Sequence, residues 1–388
     1  MHSSLSLITR QHRRGKQGNS IIPFHNSDCE QGLDGNDHYG NQRFLPPPTG
    51  CNQTDRIRRL RARGQAPKAL RWKRLESRYS AHQQCVNDLI DILNRNEIQF
   101  SCVNRVELDR QHLSDVDLVI VVGGDGTVLS AAHFLDHGTI PLLGINSDPS
   151  SEEEKIVKQK KRDERRSHGA LCACTAVNMK GKLPRILHGG GKLSMRSRIQ
   201  CIVKSTFSET RLVPALNDML IANPSPAAVS RFRMGWLNPV PHPQVGLGSM
   251  TDLTSVPRGR YGAVTRFGGK LYNIQNSLNC WSSGLWVSTA TGSSAAMAAA
   301  GGKVMDVSSN GLQYLIREHM IENAPNKEEV RGLNNGLLEE GEQLHLRWNS
   351  QKGTIFVDGS HLTHALELGD ELFIDANAPP LALFTQDN

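Results

Sequence analysis

The chain lacks long apolar segments, and aromatic residues make up only 5% of it. No stretch of its 388 residues approaches the roughly 20 apolar residues that a membrane-spanning helix needs. We therefore expect no membrane-spanning segment and no membrane partner. The hydrophobic content of 38% is nevertheless enough to build the cores of two domains.

Closely spaced cysteines and other metal ligands are also scarce. The eight cysteines are scattered, unlike those of a small disulfide scaffold, and Cys172 and Cys174 form the only close pair. Two thiols without a neighbouring cluster of His or Cys do not complete a metal site. The sequence therefore predicts reduced core cysteines and no metal site built from the protein alone.

Acidic residues are missing from the start of the chain, where the first is Asp28. Residues 1–75 carry 14 Lys and Arg against 5 Asp and Glu, whereas the other 313 residues carry 31 against 33. The excess positive charge therefore lies in this leader, and the rest of the chain is nearly neutral. That distribution argues against nucleic acid as a partner of the folded part.

Two segments have the composition of surface or disordered chain. Residues 1–74 are rich in Gly, Asn, Gln, Pro and Arg, which predicts a disordered basic leader. We expect a cytoplasmic protein, although an acid-poor basic start also fits a transit peptide for a mitochondrion, plastid or peroxisome. Residues 149–168 join an acidic run to a basic one and are predicted to form a mobile charged insertion.

The pattern of apolar residues divides the remaining chain into an α/β part and a β-rich part. In residues 75–148 we predict an amphipathic helix at 76–94 and strands at 98–103, 117–122 and 140–145, hence a mostly parallel sheet. Residues 169–365 contain short strands separated by turns, which indicates a mostly antiparallel β-rich domain. Residues 366–388 are predicted to pack back on the α/β domain.

A glycine-rich turn follows the second of these predicted α/β strands. Gly123 and Gly124 allow a sharp turn, and Asp125 is left at the carboxyl edge of the strand beside Gly126. Thr127 is predicted to cap the next helix, while Asn146 ends the neighbouring strand. Open α/β sheets bind ligands at this edge, where backbone amides can face a phosphate.

Three further polar clusters lie in the β-rich part. Asn217 and Asp218 precede an apolar strand, and their side chains suit a base edge and ribose hydroxyls, although such pairs are usually turn residues. In residues 282–297 a strand is predicted to end in a hydroxyl- and glycine-rich turn that opens a helix at 293–300, which would either admit a base or a phosphate or act as a tightly packed helix cap. Asp358 and Gly359 are equally compatible with a hairpin turn.

The order of these clusters along the chain resembles that of the NAD kinase family, with details similar to its plant NADH kinase branch. Residues 143–149, 226–232 and 282–285 carry the plant-like details, and the resemblance covers residues 75–385. It implies an N-terminal Rossmann-like α/β domain and a β-rich C-terminal domain, as in NAD and diacylglycerol kinases. It also implies ATP-dependent phosphorylation of the adenosine ribose 2′-hydroxyl of NAD(H), with Mg²⁺ on the ATP phosphates and a homodimeric assembly.

The resemblance assigns Asp125 as the catalytic base, next to glycines that admit the diphosphate. Asn217 and Asp218 match the pair that holds adenosine. The full set of predicted NAD(H)- and ATP-binding residues is Gly124, Gly126, Thr127, Asn146, Asn217, Asp218, Arg231, Ser283, Thr291, Gly292, Ser293, Ser294, Ala295 and Ala296.

The chain departs from the family pattern in the dinucleotide pocket. Ser283 stands where many members have an acid, and Ser294 and Ala296 replace Thr and Tyr. Loss of an acid should weaken any preference for the cationic oxidised ring, so we expect NADH to be accepted at least as well as NAD⁺. Arg231 is a candidate phosphate clamp or a surface salt-bridge residue. A lipid kinase sharing the glycine motif and a catalytically weak dinucleotide-binding module are the alternatives.

Overall fold

The computed structural model of the protein describes residues 5–10, 72–105, 107–149, 167–239, 264–321 and 327–386. The first part of the chain alternates strands with helices. Its strands are β1 (Leu5–Arg10), β2 (Gln99–Asn104), β3 (Leu118–Gly123), β4 (Leu142–Asn146), β5 (Cys174–Thr175) and β6 (Lys192–Arg196). Its helices are α1 (Trp72–Arg95), α2 (Asp125–Ala132) and α3 (Met179–Leu187), with a 3₁₀ turn at Arg110–Leu113.

The second part of the chain is dominated by strands. They are β7 (Gln200–Lys204), β8 (Glu209–Arg211), β9 (Asp218–Ala222), β10 (Ser230–Pro239), β11 (Val264–Phe267), β12 (Lys270–Ser282), β13 (Gly284–Thr289), β14 (Leu312–Arg317), β15 (Asn335–Leu338), β16 (Leu344–Trp348), β17 (Lys352–Val357), β18 (Leu362–Glu367), β19 (Glu371–Asp375) and β20 (Leu381–Thr385). The short helices α4 (Ala296–Ala299) and α5 (Lys327–Gly332) and a 3₁₀ turn at Gly292–Ser294 interrupt them.

The first sheet has the strand order β2-β1-β3-β4-β20-β6, with β5 also paired to β4. Its centre is parallel, since β3, β5 and β20 all run parallel to β4. Strand β1 is antiparallel to both of its neighbours, and β6 is antiparallel to β20. The expected parallel sheet is therefore found at the centre. The antiparallel strands β1 and β6, from segments outside residues 75–148, make the whole sheet mixed.

Helices cover both faces of this sheet. Ile120 and Val122 of β3 share a buried cluster with residues of α1, such as Leu89. The intervening Val119 and Val121 share another cluster with residues of α2 and β4. Because successive side chains of a strand point to opposite faces, a continuous apolar run lets β3 bury both.

The β-rich part consists of two antiparallel sheets packed face to face. One sheet has the order β11-β12-β10-β16-β19-β7-β8, and the other has the order β15-β14-β13-β9-β17-β18. Their inner faces form one cluster of buried side chains that includes Phe232, Trp348 and Leu285. The predicted combination of an α/β domain with a mostly antiparallel β-rich domain is confirmed.

Several sequence-based boundaries need correction. Leu5–Arg10, within the predicted disordered leader, form the strand between β2 and β3; the rest of that leader up to residue 71 lies outside the described residues. Strand β6 follows the predicted boundary at residue 169 but belongs to the first sheet. Strand β19 follows the predicted boundary at residue 366 but belongs to one of the two antiparallel sheets. Strand β20 does return to the first sheet. Local patterns missed these features because pairing partners lie far away in sequence.

None of the described helices is long and apolar enough to cross a membrane.

Candidate active site

The glycine-rich turn lies where β3 leaves the centre of the first sheet. Gly124 is extended, with φ −105° and ψ −171°, and helix α2 begins at Asp125. The amides of Thr127 and Val128 donate to the carbonyl oxygen of Gly124 at 2.9 and 3.2 Å. The helix therefore starts two residues before the predicted cap, and Thr127 is a buried residue of its first turn.

The carboxylate of Asp125 is held by the segment at 167–171. Its Oδ2 accepts hydrogen bonds from Ser167 Oγ at 2.7 Å and from the Gly169 amide at 3.0 Å. Its Oδ1 accepts one from the Leu171 amide at 2.8 Å. Ser167 Oγ also accepts from the Asp125 amide at 2.7 Å, so the two residues are bonded reciprocally.

Ser167 is a site residue that the sequence did not reveal. It was predicted to belong to the charged insertion at 149–168, of which residues 150–166 lie outside the described residues. No local motif marks it, because its partner lies 42 positions away. Its placement shows that this end of the predicted insertion is anchored on Asp125.

The glycines around Asp125 differ in what surrounds them. A Cβ on Gly124 would lie 2.4 Å from the Cβ of Ser167, so packing within the protein excludes a side chain there. Gly126 is exposed, and a Cβ there would have no atom of the described residues within 4 Å. Neither packing nor a positive φ requires glycine at 126, which leaves open space beside Asp125 for a ligand.

Asn146 is placed beside this edge but points into the protein. It pairs with Gly123 in the parallel ladder and is only 3% exposed. Its Oδ1 accepts the Asp148 amide at 3.1 Å, and a Cβ on Gly169 would lie 2.5 Å from its Nδ2. These contacts connect Asn146 to the segment that holds Asp125.

Asn217 and Asp218 form a turn at the start of β9, held by the buried carboxylate of Asp358. Oδ1 of Asp358 accepts the amides of Asn217 at 2.7 Å and Asp218 at 3.0 Å. Its Oδ2 accepts the amide of Leu216 at 2.8 Å. Asp358 is therefore more than a hairpin residue, and the sequence had marked its motif without assigning it this contact.

The side chains of Asn217 and Asp218 lie in different environments. The Oδ1 atom of Asn217 is buried and has no hydrogen-bond partner among the described residues. Burial and the nearby Asp358 carboxylate raise the pKa of Asp218 to about 7. The turn thus presents an unsatisfied amide oxygen next to a carboxyl group that can be neutral or charged near physiological pH.

The hydroxyl-rich turn after β13 packs directly on Asn217. The Thr289 amide donates to the Asn217 carbonyl oxygen at 2.9 Å, and a Cβ on Gly292 would lie 2.1 Å from that same oxygen. Ser293 is buried, whereas Ser294 and Ala295 are exposed and Thr291 and Ala296 are half-buried. The predicted helix at 293–300 is wrong in extent: the chain forms a 3₁₀ turn and then only the four-residue α4.

Ser283 and Arg231 lie elsewhere. Strands β9 and β13 are antiparallel with Ser288 opposite Asp218, so Ser283 is five residues, about 17 Å, further along the strand. The Arg231 guanidinium stacks on the Trp281 ring, 4.9 Å from its centre. The structure therefore does not bring these two predicted pocket residues together with Asn217 and Thr291 in one chain.

Ser283 nevertheless has an acidic neighbour. Its Oγ donates to a carboxylate oxygen of Glu318, and the guanidinium Nε of Arg317 lies 3.8 Å from that same oxygen. Glu318 follows β14 and has a φ of +40°, which is uncommon for a residue other than glycine. Sequence spacing gave no sign that this acid stands beside Ser283.

Comparison with known proteins gives consistent results. A family model for the ATP-NAD kinase N-terminal domain matches residues 69–148. The chain is 36% identical over 322 residues to a probable NADH kinase of Oryza sativa subsp. japonica, covering 83% of this chain and 86% of that protein. It is also 36% identical over 310 residues to an NADH kinase of Arabidopsis thaliana, covering 80% of this chain and 85% of that one.

Among solved structures, the crystal structure of yeast NADH kinase complexed with NADH has the same fold. The match has a TM-score of 0.51 at 15% identity and covers 72% of this chain and 65% of that chain. Identity this low indicates a common fold only, whereas the two plant sequences match over most of their length. The chain therefore belongs to the NAD kinase family.

Proposed function

We propose that this protein transfers the γ-phosphoryl group of ATP to the adenosine ribose 2′-hydroxyl of NAD(H), giving NADP(H) and ADP. The observation that carries the proposal is the open space at Gly126 beside a fixed Asp125 carboxylate, at the carboxyl edge of the parallel strands. Membership of the NAD kinase family supports the identity of both substrates.

Asp125 is the proposed general base. Two of its hydrogen bonds go to Oδ2 and one to Oδ1, so Oδ1 retains a lone pair that can accept the ribose 2′-OH proton. As that O–H bond breaks, the oxygen attacks the γ-phosphorus in line with the departing ADP oxygen. The amides of 169 and 171 fix the carboxylate, so orientation is set before the substrate arrives.

The turn at 217–218 is the proposed adenosine site. The buried Oδ1 of Asn217 lacks a partner within the described residues, and an adenine amino group would satisfy it. The Asp218 carboxyl group would bind ribose hydroxyls, while the exposed Ser294 and Ala295 leave room for a flat base.

Mg²⁺ is the proposed companion of ATP. Among the described residues no group of three or more His, Cys, Asp or Glu side chains is arranged to hold a metal ion. A magnesium ion carried mainly by phosphate oxygens needs few protein ligands, and the open Asp125 edge fits such an ion. Bound there, Mg²⁺ would neutralise charge on the transferring phosphoryl group.

We further propose that NADH is accepted at least as well as NAD⁺. Ser283 carries no charge. The neighbouring Glu318 carboxylate accepts a hydrogen bond from the Ser283 hydroxyl and lies 3.8 Å from the guanidinium of Arg317. This neutralisation leaves little negative field to favour a cationic nicotinamide ring. Steady-state kinetics with both dinucleotides tests the point, and a kcat/KM about tenfold or more in favour of NAD⁺ contradicts it.

The central test replaces Asp125 with Asn in the full-length protein. We expect NADP(H) production from ATP and NAD(H) to fall by roughly 10²-fold or more, as for loss of a general base, while NADH binding measured by fluorescence is retained. Ser308→Ala is the matched surface control, an exposed position whose amide and hydroxyl both donate to Asp306 Oδ1. Unchanged turnover in Asp125→Asn removes that residue from its role, and transfer to a lipid acceptor instead of NAD(H) refutes the assignment.

We also propose a homodimeric assembly and a cytoplasmic location for the protein. The family resemblance supports a homodimer, which light scattering of the purified protein tests directly. A cytoplasmic location is proposed, with a mitochondrion, plastid or peroxisome as the alternative, and imaging of a C-terminally tagged full-length protein distinguishes them.

A further inference from the structure

We propose that His133 and Asp358 are positioning residues, which fix the Asn217–Asp218 turn relative to the helix that begins at Asp125. This inference rests on the proposed function, because it assigns the pair a role in dinucleotide binding. Neither residue is expected to touch a substrate, and both act through the groups that they hold.

The carboxylate of Asp358 is enclosed by N–H groups. It accepts three consecutive backbone amides, from Leu216, Asn217 and Asp218, at 2.7 to 3.0 Å. Its fourth partner is His133 Nε2, 2.9 Å from Oδ2. A buried carboxylate is stable only when such donors compensate the charge, so removing any of them affects the others.

His133 connects this carboxylate to the first sheet. It directly follows α2 as its C-terminal cap residue, and its side chain is 3% exposed, against 0% for Asp358. Helix α2 has eight residues, so its catalytic end and its His133 end are about 12 Å apart. A single rigid helix therefore carries Asp125 at one end and holds the adenosine turn at the other.

The backbone around Asp358 is constrained as well. Its φ is +49°, in the left-handed region that costs energy for residues other than glycine. The Asp358 amide donates back to the Asp218 carbonyl oxygen at 2.9 Å. The surrounding hydrogen bonds thus maintain an unfavourable conformation that aims the carboxylate at the turn.

His361 closes the network from the other side. Its ring stacks on His133, with 5.2 Å between centres and 28° between planes. Burial, together with the charges of His133 and Arg105, lowers the pKa of His361 to about 4 despite the nearby Asp358. The stacked ring of His361 limits the rotation of the His133 side chain, which keeps His133 Nε2 against the Asp358 carboxylate.

The experiment compares His133→Leu, His133→Gln and Asp358→Asn in the full-length protein. In His133→Leu and Asp358→Asn, we expect the KM for NAD(H) and the Kd for NADH to rise about tenfold, with the KM for ATP within about twofold. His133→Gln retains an N–H donor, so it should remain within about threefold of the wild type in both constants.

A matched control separates positioning from general stability. His345 Nε2 and Glu371 Oε2 form a comparable His–carboxylate pair at 3.1 Å in the sheet of β10 and β16, with the His345 side chain 3% exposed and the Glu371 side chain 22% exposed. His345→Leu should lower Tm without changing the KM for NAD(H). If His133→Leu lowers Tm in the same way and leaves KM and Kd unchanged, the inference is wrong.

The outcomes also distinguish this inference from the function on which it rests. A wild-type protein that neither phosphorylates nor binds NAD(H) overturns both. A wild-type protein that does both, with folded His133→Leu and His133→Gln variants of equal dinucleotide affinity, overturns the positioning role alone. Circular dichroism of each variant establishes that the comparison is made between folded proteins.

Discussion

At the scale of single residues, the site combines tight packing with one open position. Gly124 and Gly292 lie so close to Ser167 and Asn217 that a side chain would collide with them. Gly126 has open space instead. Gly124 and Gly292 are therefore required for packing within the protein, whereas Gly126 leaves room for a ligand to approach.

Gly126→Ala provides a test of this distinction. Because the added methyl meets no atom of the described residues, we expect Tm to stay within about 2 °C of the wild type, while kcat/KM for NAD(H) falls at least about tenfold through collision with the substrate. Gly181→Ala in helix α3 is the control, since a Cβ there likewise meets no atom within 4 Å in the described part of the chain. Equal activity of both variants would mean that no ligand approaches Gly126.

Asp218 makes a second residue-scale prediction, about pH. The folded-state pKa of Asp218, about 7, lies above its value in the unfolded chain. The contribution of the neutral carboxyl group to the free energy of unfolding is therefore complete below about pH 4 and is lost as pH rises through 7. Replacement by Asn removes this loss. We expect the stability of Asp218→Asn relative to wild type to rise by at most about 4 kcal/mol between pH 4 and pH 8.

Denaturant unfolding at several pH values measures the effect. Glu371→Gln serves as the contrasting variant. Burial raises the pKa of Glu371, but hydrogen bonds from His345 and Thr265 and the charges of His345 and Lys204 bring it to about 2. Its contribution is therefore lost only as pH falls from about 4.5 through 2. A pH-independent difference for Asp218→Asn above pH 4 would contradict the assignment.

At the scale of elements, helix α2 is fixed at its C-terminal end by a buried arginine. The Arg198 guanidinium donates to the carbonyl oxygen of Ala132, the last residue of α2, at 3.4 Å, to that of Leu135 just after the helix at 2.8 Å, and to that of Pro379 at 2.6 Å. Burial lowers its pKa to about 10. Because a cation at the end of a helix satisfies exposed carbonyls, Arg198 joins α2 to the segment before β20.

Arg198→Met should therefore be strongly destabilising. The apolar replacement leaves several buried carbonyl oxygens without donors, and we expect a loss of about 3–5 kcal/mol in the free energy of unfolding. Arg233→Met, which removes an exposed hydrogen bond to Ser277, should change it by less than about 0.5 kcal/mol. Urea unfolding followed by circular dichroism compares the two, and equal stabilities would exclude this role.

At the scale of the whole molecule, the first sheet is assembled from both ends of the chain. Strand β1 comes from residues 5–10 and β20 from residues 381–385, and both pair with central strands. Since β1 lies between β2 and β3, those two strands are about 9–10 Å apart, and β2 is hydrogen-bonded to the sheet only through β1 among the described strands.

Deletion of residues 1–10 should accordingly lower Tm and reduce kinase activity, because an internal strand next to β3 is lost from the sheet that carries Asp125. Deletion of residues 1–4 alone, which precede β1, is the control and should leave both quantities unchanged. Differential scanning calorimetry and a coupled kinase assay measure the two effects. Equal Tm values for both deletions would show that β1 does not contribute to stability.

Much of the architecture follows from local sequence patterns. The helical spacing of Val86, Leu89 and Leu93 predicts α1, which extends from Trp72 to Arg95. The apolar run before Gly123 predicts β3 to within one residue. These patterns are informative because burial on one helix face, or on both faces of a strand, restricts residue types at fixed spacing.

The sequence by itself determined the two-part fold, the glycine-rich turn with Asp125, and the family to which the chain belongs. The tertiary structure decided what surrounds those residues: Ser167 on Asp125, and His133 and Asp358 around the turn at 217. Partners separated by 42 to 225 positions leave no periodic signal, because their contact depends on how sheets and helices pack. The pairing of β9 with β13 also separates Ser283 from Asp218 by five residues along the chain, which corresponds to about 17 Å at the rise of an extended strand.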